Sequence, residues 1–225
     1  MLNCQGPDKI DWTDFTWNPI TGCLNDCPYC YMKRMEKRFP GITKPRYRPE
    51  YLKDLRSRKI KPGHKIFVGS SGDMWGKWMS DDAISIVLQA VNQRPDLIFQ
   101  FLTKDPQRYS DFILAGMGHC WFGTTIDGTG RTLGNLPLLI DSVPNTAIKF
   151  VSFEPLIESP QISSAFYDLN WVIIGADSTR GAARPPQAWA DFIVDMAREA
   201  GIPVWVKDNY GYAKRIKEFP GQLNG

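Results

Sequence analysis

Cys23, Cys27 and Cys30, three of the five cysteines in 225 residues, fall within eight positions at C-x3-C-x2-C spacing. Three thiolates on one short loop can hold three corners of an iron-sulfur cube and leave the fourth iron open to a small molecule, whereas a closed cluster or structural zinc site generally takes four protein ligands. A zinc knuckle borrowing His64, His119, Cys4 or Cys120 as fourth ligand is a second reading. It is weakened because structural zinc sites usually pair two spaced Cys or Cys/His doublets, and no second doublet is present. A disulfide with a spare thiol is a third reading, opposed by the odd cysteine count and by the absence of a secretory apolar segment in residues 1–20.

A second group of polar residues stands at the expected C-terminal ends of strands. After the apolar run Lys65 to Gly69 comes Ser70-Ser71-Gly72-Asp73, a small turn that can approach a ligand closely and present a carboxylate to an ammonium group. The same four residues are also an ordinary turn sequence. Asn18, Thr103 with Lys104, Thr124 and Thr125 with Asp127, Ser152 with Glu154, Asp177 with Ser178, and Lys207 with Asp208 occupy equivalent positions. Glu154, between an apolar run and Pro155, is placed to meet a ribose hydroxyl or substrate. Lys104 and Lys207 can offer charge to phosphate or donate protons, though lysines at strand ends are also common solvated groups. Any one of these residues could simply cap a helix or close a turn.

The elements that must position them follow from hydrophobic patterning. Strands are expected at Phe15 to Asn18, Lys65 to Gly69, Leu97 to Thr103, Cys120 to Ile126, Ile148 to Phe153, Trp171 to Gly175 and Pro203 to Val206. Helices are expected at Tyr29 to Phe39, about Tyr51 to Arg58, Ser80 to Gln93, Pro106 to Leu114, Arg131 to Ile140, Gln161 to Leu169 and Gln187 to Ala200. This alternation implies consecutive βαβ units and a parallel α/β barrel, partial or complete, of about six to seven strands. Chemistry in such barrels collects at the C-terminal strand ends. Cys120, at the start of its strand, is expected to be a core thiol far from that mouth, and Cys4 an exposed spectator.

The length fits one domain, residues 1–225, and 43% hydrophobic content suffices for a sizeable core. With no long apolar stretch, the expectation is a soluble cytoplasmic protein with no membrane partner. The net charge of +3 conceals an asymmetry: between Tyr31 and Lys65, thirteen Lys and Arg face Glu36, Glu50 and Asp54, a balance of +10 that leaves −7 elsewhere. That segment is either an electrostatic footprint for nucleic acid or a solvated surface that keeps the protein in solution.

The cysteine spacing, with Tyr29 just before the third cysteine, resembles the signature of the radical SAM superfamily. The resemblance implies a 4Fe-4S cluster on Cys23, Cys27 and Cys30, with S-adenosylmethionine chelating the open iron. It places Tyr29 beside the adenine, with the backbone of Tyr31 reading its amino group. Ser70, Ser71, Gly72 and Asp73 stand where the superfamily commonly has Gly-Gly-Glu to hold the methionine amino group. Thr103, Thr125 and Glu154 complete the implied cofactor contacts, with Lys104 and Lys207 as catalytic candidates. An external one-electron donor of flavodoxin or ferredoxin type is implied as well.

Stretches including Thr16 to Cys23, Phe67 to Trp75, Phe101 to Lys104, Trp121 to Gly123, Phe153 to Leu156, Trp171 to Gly175 and Val206 to Gly211 resemble a small phage-associated radical-SAM-like family of unknown function. The Cys27 to Tyr31 run also resembles the cluster loop of spore photoproduct lyase, which repairs thymine dimers by hydrogen abstraction. Together these imply a radical SAM enzyme that reductively cleaves S-adenosylmethionine to a 5′-deoxyadenosyl radical and abstracts hydrogen, with nucleic acid or a modified nucleobase as first substrate class. The competing reading is a noncatalytic nucleic-acid-binding module stapled by zinc or a cluster.

Overall fold

The computed structural model describes residues 1–7 and 9–221. Its main sheet has eight strands: β1 (Leu2–Cys4), β2 (Phe15–Trp17), β5 (Lys65–Val68), β6 (Ile98–Thr103), β7 (Cys120–Thr125), β8 (Ile148–Phe153), β9 (Trp171–Ile174) and β10 (Val204–Val206), adjacent in that order. From β2 to β10 every pairing is parallel, and β1 runs antiparallel along the outer edge of β2. No ladder joins β10 to β1 among the described residues, so the parallel sheet is a partial barrel of seven strands with one antiparallel edge.

Strand sequences alternate between two buried faces. Ile66, Val68, Phe99, Phe101, Phe122, Val151, Phe153, Val172, Ile174, Val204 and Val206 pack toward the helices. Phe67, Trp121, Phe150, Ile173 and Trp205 point to the other face, where Trp12, Trp171 and Phe219 join them. Burial on both faces explains why these strands read as near-continuous apolar runs.

The helical side is covered by α2 (Asp81–Asn92), α3 (Asn135–Ser142) and α4 (Gln187–Glu199). Helix α2 starts where Ser80 Oγ accepts from the Ala83 amide at 3.4 Å, and it buries Ala83, Ile84, Val87, Leu88 and Val91. Helix α4 buries Ala190, Ile193, Val194 and Ala197, the spacing of a single helical stripe.

Several expected helices are shorter than their sequences suggest. The span Tyr29 to Phe39 yields only α1 (Tyr31–Met35). Its start is held back because the Cys30 amide donates to Cys27 O, and its end because the Glu36 carboxylate turns to the Gly41 and Thr43 amides. Segments Pro49–Arg56, Pro106–Asp111 and Ser164–Asp168 are 3-10 turns. Helix α3 begins four residues later than expected, since Thr132 bonds Asp127 instead of entering the helix. A short antiparallel ladder of β3 (Ile20–Thr21) with β4 (Arg46–Tyr47) was not anticipated and ties the basic segment to the start of the cysteine loop. Among the described residues no helix is long and apolar enough to cross a membrane.

Candidate functional site

The cysteine loop leaves β3 at Gly22 and lies over the C-terminal ends of the parallel strands. Gly22 forms a parallel bridge with Gly72, and a Cβ on Gly72 would come within 2.5 Å of Gly22 O. The two backbones therefore touch only because Gly72 has no side chain, while a Cβ on Gly22, which sits at φ 80°, would run into the backbone of Lys44. The Cys23 amide donates to Thr43 O at 2.9 Å, Asn25 Nδ2 donates to Asp73 Oδ2 at 2.9 Å, and Asp26 takes a left-handed conformation (φ 54°) that Asp tolerates better than most residues. Arg131 reaches from the chain beyond β7, with Nη2 donating to Asn25 O and lying 3.9 Å from Cys27 Sγ.

All three thiols line one cavity of about 250 Å3, with Cys27 buried and Cys23 and Cys30 half-buried. Burial pushes the Cys23 thiol up to about 11, opposed by the Asn25 amide, which lies 3.4 Å from its Sγ.

The opposite wall comes from strand ends: Ser70, Gly72 and Asp73 after β5, Thr103 and Lys104 at β6, Thr125 at β7 and Glu154 after β8 all line the same cavity, as do Tyr29 and Tyr31. Ser71 lies outside it, its amide donating to Asn18 Oδ1 at 2.9 Å. Lys207 does not line the cavity either, and reaches it through Glu154, to which its Nζ donates.

Asp73 is buried and accepts from the Lys104 amide at 3.0 Å and the Trp75 amide at 3.2 Å, besides Asn25. Burial pushes its carboxyl above the ordinary carboxylate range in spite of those donors. Tyr31, which keeps an exposed side, donates its hydroxyl to Ser70 O at 2.9 Å. Glu154 lies so close to Gly175 that a Cβ there would meet its Cδ at 2.8 Å.

Tyr29 is placed by a partner that sequence reasoning did not assign. Its hydroxyl donates to Asp127 Oδ2 at 2.6 Å, while Asp127 Oδ1 accepts from Thr129 N (3.0 Å), Thr129 Oγ1 (2.6 Å) and Thr132 Oγ1 (2.8 Å). Burial opposes charge on Asp127, but Thr129, Tyr29 and Thr132 together outweigh it and hold the carboxyl below its usual range. Lys104 Nζ stands 5.7 Å from the centre of the Tyr29 ring, within reach of a cation–π contact.

Asp127 was named at its strand end, but Asn25, Arg131 and Asn135 were missed; Asn135 Nδ2 lies within donating distance of Lys104 O, Thr124 Oγ1 and Thr125 O. Asp127 had a signal, its place at a strand end before Gly128. Asn25 and Arg131 had none, because their contacts span 48 and 106 residues.

His64, His119, Cys4 and Cys120 do not line this cavity. Cys120 is buried at the first position of β7, and Cys4 is exposed on β1. Among the described residues no three His, Cys, Asp or Glu side chains converge as a single metal ion would require.

The model of the family described as "Protein of unknown function (DUF5131)" matches residues 7–223. The chain belongs to this family. No curated protein matches the sequence. Among solved structures, a spore photoproduct lyase point mutant is similar with TM-score 0.59 and 10% identity, over 92% of this chain and 78% of that one. A double mutant of spore photoproduct lyase with bound AdoMet and dinucleoside spore photoproduct gives TM-score 0.53 and 12% identity, over 88% and 64%. A further point mutant gives 0.51 and 13%, over 78% and 58%, so the chain spans less than two thirds of two of these three structures. At these identities the likeness is one of fold.

Proposed function

We propose that the chain, acting as one domain over residues 1–225, is a radical SAM enzyme whose substrate is a nucleic acid or a modified nucleobase. The observation that carries this reading is the meeting of three thiols from one eight-residue loop with Asp73, Thr103, Thr125 and Glu154 around a single cavity. The donor set fits a 4Fe-4S cluster held by Cys23, Cys27 and Cys30: three thiols open onto a cavity that no fourth cysteine or histidine lines. When bound, cluster and S-adenosylmethionine supply a 5′-deoxyadenosyl radical by reductive cleavage, with the electron drawn from an external donor of flavodoxin or ferredoxin type.

The protein's share is positioning. Asp73, held by the Lys104 amide and Asn25, accepts from the methionine ammonium, with Ser70 and Gly72 allowing close approach. Tyr29, fixed by Asp127, would lie beside the adenine and the backbone of Tyr31, whose hydroxyl is tied to Ser70, would read its amino group, while Thr103 and Thr125 would offer hydroxyls. Glu154 accepts from a ribose hydroxyl, and its bond to Lys207 orients it. Lys104 supplies positive charge or a proton at the substrate. The spore photoproduct lyase structures, one of them with AdoMet and a dinucleoside photoproduct bound, support both the cofactor and the substrate class.

The test is anaerobic reconstitution with iron and sulfide, reduction with dithionite, and measurement of 5′-deoxyadenosine together with iron and zinc. The expected result is about four irons per chain and deoxyadenosine that disappears in Cys27→Ala. Zinc without cleavage, or iron undiminished in Cys27→Ala, would overturn the reading in favour of a metal-stapled binding module.

A further inference from the structure

Beside the cysteine cavity lies a second one of about 600 Å3, and Tyr31 and Met32 line both. Arg38, Lys44, Arg46 and Arg48 line it with Phe39 and Tyr51, and no Asp or Glu does. Some cations elsewhere are paired, Arg94 with Asp96, Arg108 with Asp81 and Asp111, Arg198 with Glu218, and Lys217 with Asp11 and Asp208, while others such as Lys53, Arg56 and Arg58 make no ion pair among the described residues, so what sets the groove apart is the gathering of its cations in one concave wall without an acid. In the groove Arg38, Lys44 and Arg46 make no ion pair among the described residues, and Arg48 stands 3.8 Å from Glu50 with its Nε buried and unpartnered.

This is an arrangement the fold maintains. Pairing of β3 with β4 sets Arg46 opposite Thr21 at the root of the cysteine loop, and Glu36 holds Gly41 and Thr43 through three hydrogen bonds. Lys53 and Arg56 of the same basic segment line a separate cavity against α2.

We propose that the groove is the track for a single-stranded polynucleotide, with phosphates on Arg38, Lys44, Arg46 and Arg48, bases against Phe39 and Tyr51, and one nucleotide delivered past Tyr31 to the cysteine cavity. Unpaired, self-repelling cations in a concave wall are matched by a chain of phosphates. Aromatic side chains in the same wall meet base faces that only unpaired nucleotides present. The proposal rests on the radical reading only for what happens to the delivered nucleotide.

The test is fluorescence anisotropy of a labelled 12-nucleotide single strand with the full chain, before and after iron-sulfide reconstitution, across a salt series. The combined variant Arg38→Gln, Lys44→Gln, Arg46→Gln, Arg48→Gln is expected to bind more than about tenfold more weakly, its log–log salt slope reduced by about 3 at roughly 0.7 per lost phosphate contact. Phe39→Ala is expected to cost about tenfold with the slope unchanged. The control Lys53→Gln, Arg56→Gln, Arg58→Gln removes three charges of the basic segment outside the groove and is expected to change affinity less than about twofold. The exposed single changes Lys44→Gln and Arg46→Gln, which leave the fold's hydrogen bonds intact, should each remove about 0.7 of slope.

Equal losses in groove and control variants, duplex or mononucleotide bound as tightly as the single strand, or displacement by a phosphopeptide at equal phosphate concentration would each overturn the groove. Deoxyadenosine formation measured without oligonucleotide separates the two claims. Cleavage without strand binding overturns the groove alone, and strand binding without cleavage overturns the radical reading alone.

Discussion

The two walls of the cysteine cavity are built on different principles. The strand-end wall continues a parallel ladder whose residues are buried on both faces, so Thr103, Thr125 and Glu154 inherit their positions from the core. The loop wall has one five-residue helix and a two-residue antiparallel ladder, and it is held by single side chains: Asp73 through Asn25, Arg131 through Asn25, Asp127 through Tyr29, and Glu36 through Thr43. The first wall can be lost only with the fold. The second can loosen locally, because each tie is one or two hydrogen bonds of modest net strength.

Trp75 tests the rigid side. It is fully buried with ring contacts to Phe101, Tyr109, Phe112 and Phe122 at 4.6–6.3 Å. Trp75→Ala is expected to cost about 3–5 kcal/mol and lower the urea midpoint of the whole transition. A change confined to residues near 70–76, with the midpoint unmoved, would break the distinction between the walls.

Asp127→Asn tests the joint between them. It replaces an acceptor serving Tyr29, Thr129 and Thr132, and is expected to cost about 1–3 kcal/mol, with faster amide exchange at residues 127–132 preceding any global opening. Tyr29→Phe removes a single bond to the same carboxylate and should cost about 1 kcal/mol or less. A Tyr29→Phe loss equal to that of Asp127→Asn would mean that the tyrosine contact dominates the joint.

The smallest effect is expected at Glu36, which is solvent-accessible. The Gly41 amide first, then Thr43, hold its carboxyl below the ordinary range. A depressed folded-state pKa means that this contribution is complete above the unfolded value of about 4.3 and is lost as pH falls through the folded one. The Gly41 and Thr43 amide resonances should therefore shift in a single acid titration step below the unfolded value, with the core resonances unmoved, and Glu36→Gln should show the acid positions at neutral pH. Core resonances moving in the same step would show that the loop and the sheet open together.

Legibility in the sequence follows the same division. Strands β5 to β10 and helices α2 and α4 were readable because doubly buried strands write apolar runs and a one-sided helix writes a repeat of three and four. The cysteine spacing was readable because its three members are sequence neighbours. The expected helix from Tyr29 to Phe39 was realised only as Tyr31–Met35, because Glu36 and the Cys27–Cys30 turn satisfy locally the groups that a longer helix would have used.

By itself, the sequence determined the alternation of strands and helices, the polar residues at strand ends, the three thiols on one loop and the concentration of positive charge after them. Only the tertiary structure decided that the sheet stays open, that Tyr29 meets Asp127 across 98 residues, and that Arg131 crosses to Asn25. It also decided that Arg38, Lys44, Arg46 and Arg48 share a groove with aromatic residues while Arg56 turns away. Periodicity is written among neighbours because one element's burial repeats along the chain. A contact between distant side chains leaves no such repeat, and is fixed only when the packed sheet brings its strand ends and loops to one mouth.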